Sequence, residues 1–304
     1  MTTKETIPPK ESASSGASAE DQLRVEMTAD IIAHFRAAMH QSGINYSGEI
    51  VPDGHVRGAY LDGSAPGIYC GIYGLSLTGT TFGYARDFSQ PGVELRWKYT
   101  GKAQLPPAHA GNRQQPEKIT AAECKRRAFW YEVNYLWSIS KPAVSHPYLE
   151  RMGIKAYGAR SAGDDLIIPA YACQYSPISA VQLIKPDGSK RLIDGGNKAR
   201  HFTIGKRTKH TYVCVDFATG AALHEKTGQK VLVAFLTENL YPVSRHAQSN
   251  PSTFGQVIVA GDNSKDGKSQ KAAHSATYFS AQVYIPASVG TWHDHRDSIV
   301  GPSL

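Results

Sequence analysis

The stretch "VCVDFATGAALHEKTG", Val213–Gly228, opens as an apolar run and turns at Asp216. It continues with Phe217, Ala221 and Leu223 at helical spacing and stops at a glycine. An apolar strand, an acid and then a helix is the first half of a strand–helix–strand unit. The segments after it keep the alternation. "KVLVAF" (230–235), "QVIVAGD" (256–262) and "AQVYIP" (281–286) are further apolar strands, and "SKDGKSQKAAHSATYF" (264–279) reads as a helix. "LYPVSRHAQSN" (240–250) is a poorer helix. Continuous apolar strands alternating with helices predict a parallel sheet covered on both faces. Ligand chemistry in such a sheet sits at the carboxyl ends of the strands.

Acids stand at those ends. Asp216 follows the first strand, Glu238 the second, Asp262 and Asp266 the third, and Asp294 and Asp297 follow the fourth in "TWHDHRDS". Converging carboxylates of this kind outline a Mg²⁺ site, because that ion takes oxygen ligands, one or two of them carboxylates, with water and substrate phosphates. In phosphoryl transfer such an ion neutralises developing charge. Asp262 and Asp294 are expected close together.

Upstream, "DLIIPAYA" (165–172) and "ISAVQLIKPDGSKRLI" (178–193) read as a hairpin-rich sheet with a turn at Pro186-Asp187-Gly188. "MTADIIAHFRAAMHQS" (27–42) places Ile31, Ile32, Phe35, Ala38 and Met39 on one helical face, and Gly43 ends it. Between 48 and 100, glycines and aromatics recur in "DGHVRGAY", "GIYCGIYG" and "GTTFGYARDF", predicting a small antiparallel sheet. Tyr60, Tyr69, Tyr73, Arg57, Arg86 and Arg96 there either stack and pair with a single nucleic-acid strand or fill the sheet's core, the core being the commoner role. "TAAECKRRAFWYEVNYLWSIS" (120–140) is a helix with a Thr120–Glu123 capping box. Its expected apolar stripe is Ala128, Tyr131 and Tyr135, flanked by Trp130 and Trp137. The basic turn Lys125–Arg127 is more often a solvated face than a DNA contact.

The expected organisation is therefore a disordered arm (1–24), a helix and antiparallel-sheet domain (25–100), a linker and helix (101–145), and an α/β domain (146–304). The chain has 304 residues and 41% hydrophobic content, enough for a sizeable core. No apolar run approaches the roughly 18 residues of a membrane helix. The first residues lack the apolar core of a secretory signal. Cys70, Cys124, Cys173 and Cys214 form no C-x-x-C pair, which excludes a cysteine zinc ribbon and predicts free thiols in a reducing cytoplasm. The net charge of +7 favours a polyanionic partner. His293 and His295 lack a third ligand for zinc, and "GDNSKDGK" fails the calcium-loop spacing. No G-x-x-x-x-G-K-[ST] motor motif occurs.

The succession "FATGAALHEKTG", apolar strand, "ENL", apolar strand, "GDN" resembles the TOPRIM domain of plasmid and phage DNA primases. That family's motifs are E-G-[YF]-A-T-[AG], A-F-x-x-G-N-L, D-N-D and a late D-x-N-D. "HPYLERMGIKAYGAR", "LIIPAYA", "AVQLIKPDGSKRLIDGG" and "HFTIG" resemble the segment before it. The likeness spans roughly 30–298 and is most specific over 146–262. It implies an α/β fold with a TOPRIM-like parallel sheet, Mg²⁺ or Mn²⁺, and single-stranded DNA as partner.

The departures fall on the chemistry. Val215 stands where the family's general acid/base glutamate belongs, and Asp216 stands at the glycine. Ser264 replaces the second aspartate of D-N-D, Glu238 a glycine and Met152 a lysine. Asp262, Asp294 and Asp297 remain as metal-ligand candidates. Lys185, Lys190, Arg191, Lys198, Arg200, His201 and Arg57 are candidate nucleic-acid contacts. Three functions follow from this pattern. One is a primase-like protein of a mobile element that binds single-stranded DNA with primer synthesis lost or weakened. Another is an active primase or phosphodiester-processing enzyme rebuilt around Asp216 and Glu238. The third is a primase-derived decoy that binds a replication or host-defence protein.

Overall fold

The computed structural model describes residues 19–62, 64–90, 92–101, 121–172, 176–196, 199–277 and 281–301. The chain divides into two compact units, Met1–Arg127 and Ala128–Leu304.

In the first unit, α1 (Ala19–Gln41) is followed by β1 (Arg57–Ala59), β2 (Gly71–Ser76), β3 (Phe82–Asp87) and β4 (Glu94–Lys98). These pair antiparallel in the order β1-β2-β3-β4. Residues 19–24, expected in the disordered arm, form the start of α1. Ile31, Phe35 and Met39 recur every fourth residue and are its buried stripe. Phe35 lies against the sheet, its ring 5.3 Å from Trp97, and a side chain at Gly83 would collide with it.

The second unit contains most of α2 (Ala121–Ile139). Then come β5 (Lys141–Pro142), α3 (Pro147–Met152), β6 (Arg160–Ala162), β7 (Asp165–Tyr171), β8 (Ile178–Ile184) and β9 (Lys190–Asp194). The strands form an antiparallel meander in sequence order. The expected turn between β8 and β9 is present: Gly188 is left-handed (φ 87°) and its N–H donates to Lys185 O at 2.9 Å. The meander has two apolar faces. Ile167, Val181, Leu183 and Ile193 pack under α2, while Leu166, Ile168, Ala170, Ala180 and Ile184 join the next core. Under α2 the buried stripe is Phe129, Val133 and Leu136, one register away from the aromatic stripe expected from the sequence. The side chains without a polar atom take the dry positions. Tyr131 and Tyr135 sit at the margins, where their hydroxyls stay near water, and Trp130 is exposed. Thr120, the expected cap, lies outside the described residues.

The parallel sheet follows. It comprises β10 (Phe202–Ile204), β11 (His210–Cys214), β12 (Lys230–Val233), β13 (Gln256–Ala260) and β14 (Gln282–Tyr284) in the order β10-β12-β11-β13-β14. β11, β12, β13 and β14 run parallel, and β10 is an antiparallel edge. The helices α4 (Phe217–Thr227), α5 (Leu240–Gln248), α6 (Pro251–Phe254) and α7 (Lys268–Ser275) complete the unit. Alternation sends Tyr212 and Cys214 to the α4 face and Val213 to the face covered by α5 and α7. α4 begins where the sequence predicts it, at Asp216, and ends on left-handed Gly228. This is a mixed α/β protein with an antiparallel sheet ahead of a mainly parallel one. No described helix is long and apolar enough to cross a membrane.

Candidate functional site

Asp216 lies two residues beyond β11, where the backbone has left the strand. It is the N-cap of α4: its Oδ2 accepts from Ala218 N at 3.0 Å, and its Oδ1 pairs with the Lys190 ammonium. Strand alternation explains which basic residue arrives. Lys190 pairs opposite Ile184, on the face turned to α4, and so reaches Asp216. Arg191 pairs opposite Leu183, on the α2 face, and binds Glu132 there at 3.2 Å.

Asp262 follows β13. Its carboxyl has no hydrogen-bond partner among the described residues and is pushed up to about 6, first by burial and then by the charges of Asp216 and Asp294. Lys190 acts in the opposite sense. Burial, and then the charges of Asp216 and Asp262, push the Cys214 thiol well above its usual range. Asp294 comes from a loop ten residues past β14 that folds back. Asn263 and Gly290 exchange backbone hydrogen bonds of 2.9 Å each way, and the Asn263 side chain donates to Pro286 O at 2.9 Å. Asp294 Oδ2 accepts from Thr291 N and Oγ1, both at 2.8 Å, and these bonds hold its carboxyl below the usual range.

Other residues sit elsewhere. Asp297 pairs with Lys226 at 3.0 Å, at the far end of α4, about 15 Å of helix away from the Asp216 end. It is not gathered with Asp262. Glu238 is exposed on a 3-10 turn (Thr237–Asn239) and is not among the charges that act on Asp262. Arg200 is only 1% exposed and pairs with Asp194 at 2.8 Å, so it is part of the interior rather than a surface for phosphates. His201 is buried too; its imidazole is pushed down to about 4, mainly by burial, and it is neutral at pH 7. Lys185 is exposed beside the β8–β9 turn. Arg57 pairs with Asp53 within the first unit. Lys198 lies outside the described residues, as does Cys173. Cys70, Cys124 and Cys214 are free thiols. His293 and His295 face the backbone carbonyls of Met152 and Val289.

Val215 is half-buried and packs into the apolar core beneath α5 and α7. Tyr148, absent from the sequence expectations, borders the acids, and Arg151 lies over its ring. The Tyr148 hydroxyl is raised by burial and then by Asp216, and its ring lies under both Arg151 (5.6 Å) and Lys190 (6.0 Å). Tyr148 and Arg151 belong to α3, whose six residues are too few to show a period. The available signal was the Pro147 start after His146, which caps Tyr148 N.

Among the described residues no three His, Cys, Asp or Glu side chains gather tightly enough to form a closed metal cage. What is present is a half-buried, unpartnered carboxylate with two more near enough to act on it. That fits a hydrated Mg²⁺ or Mn²⁺ held by one or two carboxylates and shared with a phosphate. Asp262 with Asp294 would hold it, since Asp216 is committed to Lys190 and the helix cap.

No protein-family model matches the chain. In structure it is similar to the primase fragment of the bacteriophage T7 primase-helicase protein, at 15% identity and a TM-score of 0.39 over 52% of this chain and 74% of that one. It is also similar to a chain of the bacteriophage T7 lagging-strand DNA polymerase complex with primase domains of two gp4 subunits bound to an RNA/DNA hybrid and dTTP. That match has 15% identity and a TM-score of 0.31, over 51% of this chain and 84% of that one.

Proposed function

We propose that this chain is a primase-like TOPRIM protein of a mobile element that binds single-stranded DNA, with primer synthesis lost or weakened. The observation that carries the reading is the occupation of the first acid's place. By the motif resemblance the general acid/base falls on Val215, whose side chain is packed into the core. The neighbouring Asp216 accepts from Ala218 N through one oxygen and pairs with Lys190 through the other, so each oxygen already has a partner. Glu238 is not among the charges felt at Asp262. Loss of a general acid/base costs on the order of 10²- to 10⁴-fold in rate.

The surroundings still suit phosphate. Lys190 stands at the acids while Lys185 and Arg151 flank Asp187 of the β8–β9 turn, and cations on such a hairpin hold a nucleic-acid backbone whether or not chemistry follows. A divalent ion at Asp262 and Asp294 would neutralise charge on a bound phosphate. A second reading, a rebuilt active site, draws on one observation: Asp262 is kept electrostatically short of a cation by Asp216 and Asp294.

The test is primer synthesis on single-stranded DNA with labelled nucleotides and Mg²⁺ or Mn²⁺, with DNA binding measured on the same samples. The expected outcome is salt-sensitive binding with no product, and a gain of product in Val215→Glu. Metal-dependent product from wild type that disappears in Asp262→Ala would establish the rebuilt site instead. Neither product nor binding would turn the search to a protein partner.

A further inference from the structure

The β8–β9 hairpin of the meander delivers a cation to the acids of the parallel sheet. Gly188 N donates to Lys185 O at 2.9 Å and Lys185 N to Ser189 O at 3.0 Å, so Lys190 opens β9 from a fixed backbone. The Lys190 ammonium meets Asp216 Oδ1, while Asp216 Oδ2 stays on the α4 cap. It also lies over the Tyr148 ring at 6.0 Å. The Tyr148 hydroxyl is enclosed there, has no hydrogen-bond partner among the described residues, and feels the Asp216 charge. A buried hydroxyl left without a partner is costly, and so marks a place for a ligand or an ordered water. The Lys190 charge reaches Asp262 as well. One ammonium therefore stands among three carboxylates, Asp216, Asp262 and Asp294.

We infer that the Lys190 ammonium is the resident second cation of this site, standing where a second divalent ion would bind, so that the site takes a single Mg²⁺ or Mn²⁺. The charges close on that number. Three carboxylates and one ammonium leave two negative charges, which one divalent ion cancels and two would overshoot. The ligands close on it too. Paired ions sit about 3.5–4 Å apart. Beside an ion at Asp262 and Asp294, a second would need Asp216 Oδ1, and the ammonium holds that oxygen. Asp294 cannot make up the loss, since its Oδ2 is bonded twice to Thr291. An ammonium can hold a phosphate as a point charge, but it cannot acidify a bound water as a divalent ion does. Such a cation suits a site that grips a strand rather than one that cuts or extends it. The inference deepens the proposed function and rests on it for the ion at Asp262 and Asp294.

The test counts ions on the full chain, without DNA or nucleotides. The protein is titrated with Mn²⁺, free Mn²⁺ is read by electron paramagnetic resonance, and sites that survive in Asp262→Ala are subtracted as background. Wild type is expected to hold one ion. Lys190→Met frees Asp216 Oδ1 and removes a like charge, so it should hold two, the first of them about tenfold tighter or more. In Lys190→Met combined with Asp216→Asn the count should return to one, because the freed ligand is gone. Lys190→Gln, made beside Lys190→Met in case the latter does not fold, should also hold two. Circular dichroism in EDTA shows which variants are folded. Two ions in wild type, whatever the variants do, or one ion in the folded Lys190 variants, would overturn the inference and leave the proposed function standing. No ion in wild type would remove the metal from the proposed function and this inference with it.

Discussion

Two titratable residues, the buried His201 and the half-buried Asp262, pull the stability of the second unit in opposite directions with pH. His201 has its folded pKa lowered from 6.5 to about 4, so the unfolded chain takes up a proton first and stability drains away as pH falls from about 6.5 to about 4. The loss is about 3 kcal/mol, and urea unfolding of wild type beside His201→Gln should show it in the first and not in the second. Asp262 has its folded pKa raised from 3.8 to about 6, so its charge costs stability as pH rises through that interval. Asp262→Asn removes that cost. It should raise the unfolding free energy at pH 7.5 in EDTA by up to about 3 kcal/mol, or several degrees of melting temperature. The same variant should weaken Mn²⁺ binding, which calorimetry reads directly. A gain in stability coupled to a loss of ion binding would mark Asp262 as a residue kept for a ligand. Equal melting temperatures would argue that the carboxyl is already relieved within the protein.

At the level of elements, α4 depends on a glycine for its closeness to the sheet. A side chain at Gly220 would stand 2.7 Å from Val233 Cγ2 and 3.3 Å from Cys214 Sγ. Gly220→Ala is therefore expected to destabilise by about 1–3 kcal/mol through overpacking, although alanine favours a helix by about 1 kcal/mol. Equilibrium unfolding decides the sign. This helix was legible in the sequence because its signals are local: an acid at the cap, apolar spacing and a terminal glycine. β11, β12 and β13 were legible as unbroken apolar runs. β10 was not, since three residues carry no period and its role as an antiparallel edge depends on a partner far along the chain. The stripe on α2 was misplaced because tyrosine and tryptophan count as apolar in a pattern, while packing prefers Phe129, Val133 and Leu136. Among the acids, the order of strands pointed to Asp216, Glu238, Asp262, Asp266, Asp294 and Asp297 alike, and of these Asp216 and Asp294 lie near enough to act on Asp262. What it could not give is exposure and direction. Asp297 turns to Lys226, and Arg200 and His201 fold into the interior, through contacts no local pattern records.

At the level of the whole molecule, the division into units is testable by fragments. Residues 121–304 retain α2 over the meander, and that fragment should unfold in a single transition. A fragment beginning at residue 141 lacks the cover for Ile167, Val181, Leu183 and Ile193. It should lose at least about 5 kcal/mol at the usual 1.5–3 kcal/mol per large apolar side chain. Circular dichroism and urea melts of the two fragments make the comparison. The strand order carries a last consequence, for synthesis. β6 to β9 each pair with the strand just before them, so the meander can close on the ribosome as it emerges. β11 cannot. Its neighbours β12 and β13 are both made later, and β10 waits for β12 as well. The nascent chain therefore carries "HTYVC", buried along its whole length in the finished protein, uncovered until residue 233 has been added. It is the segment a chaperone should hold.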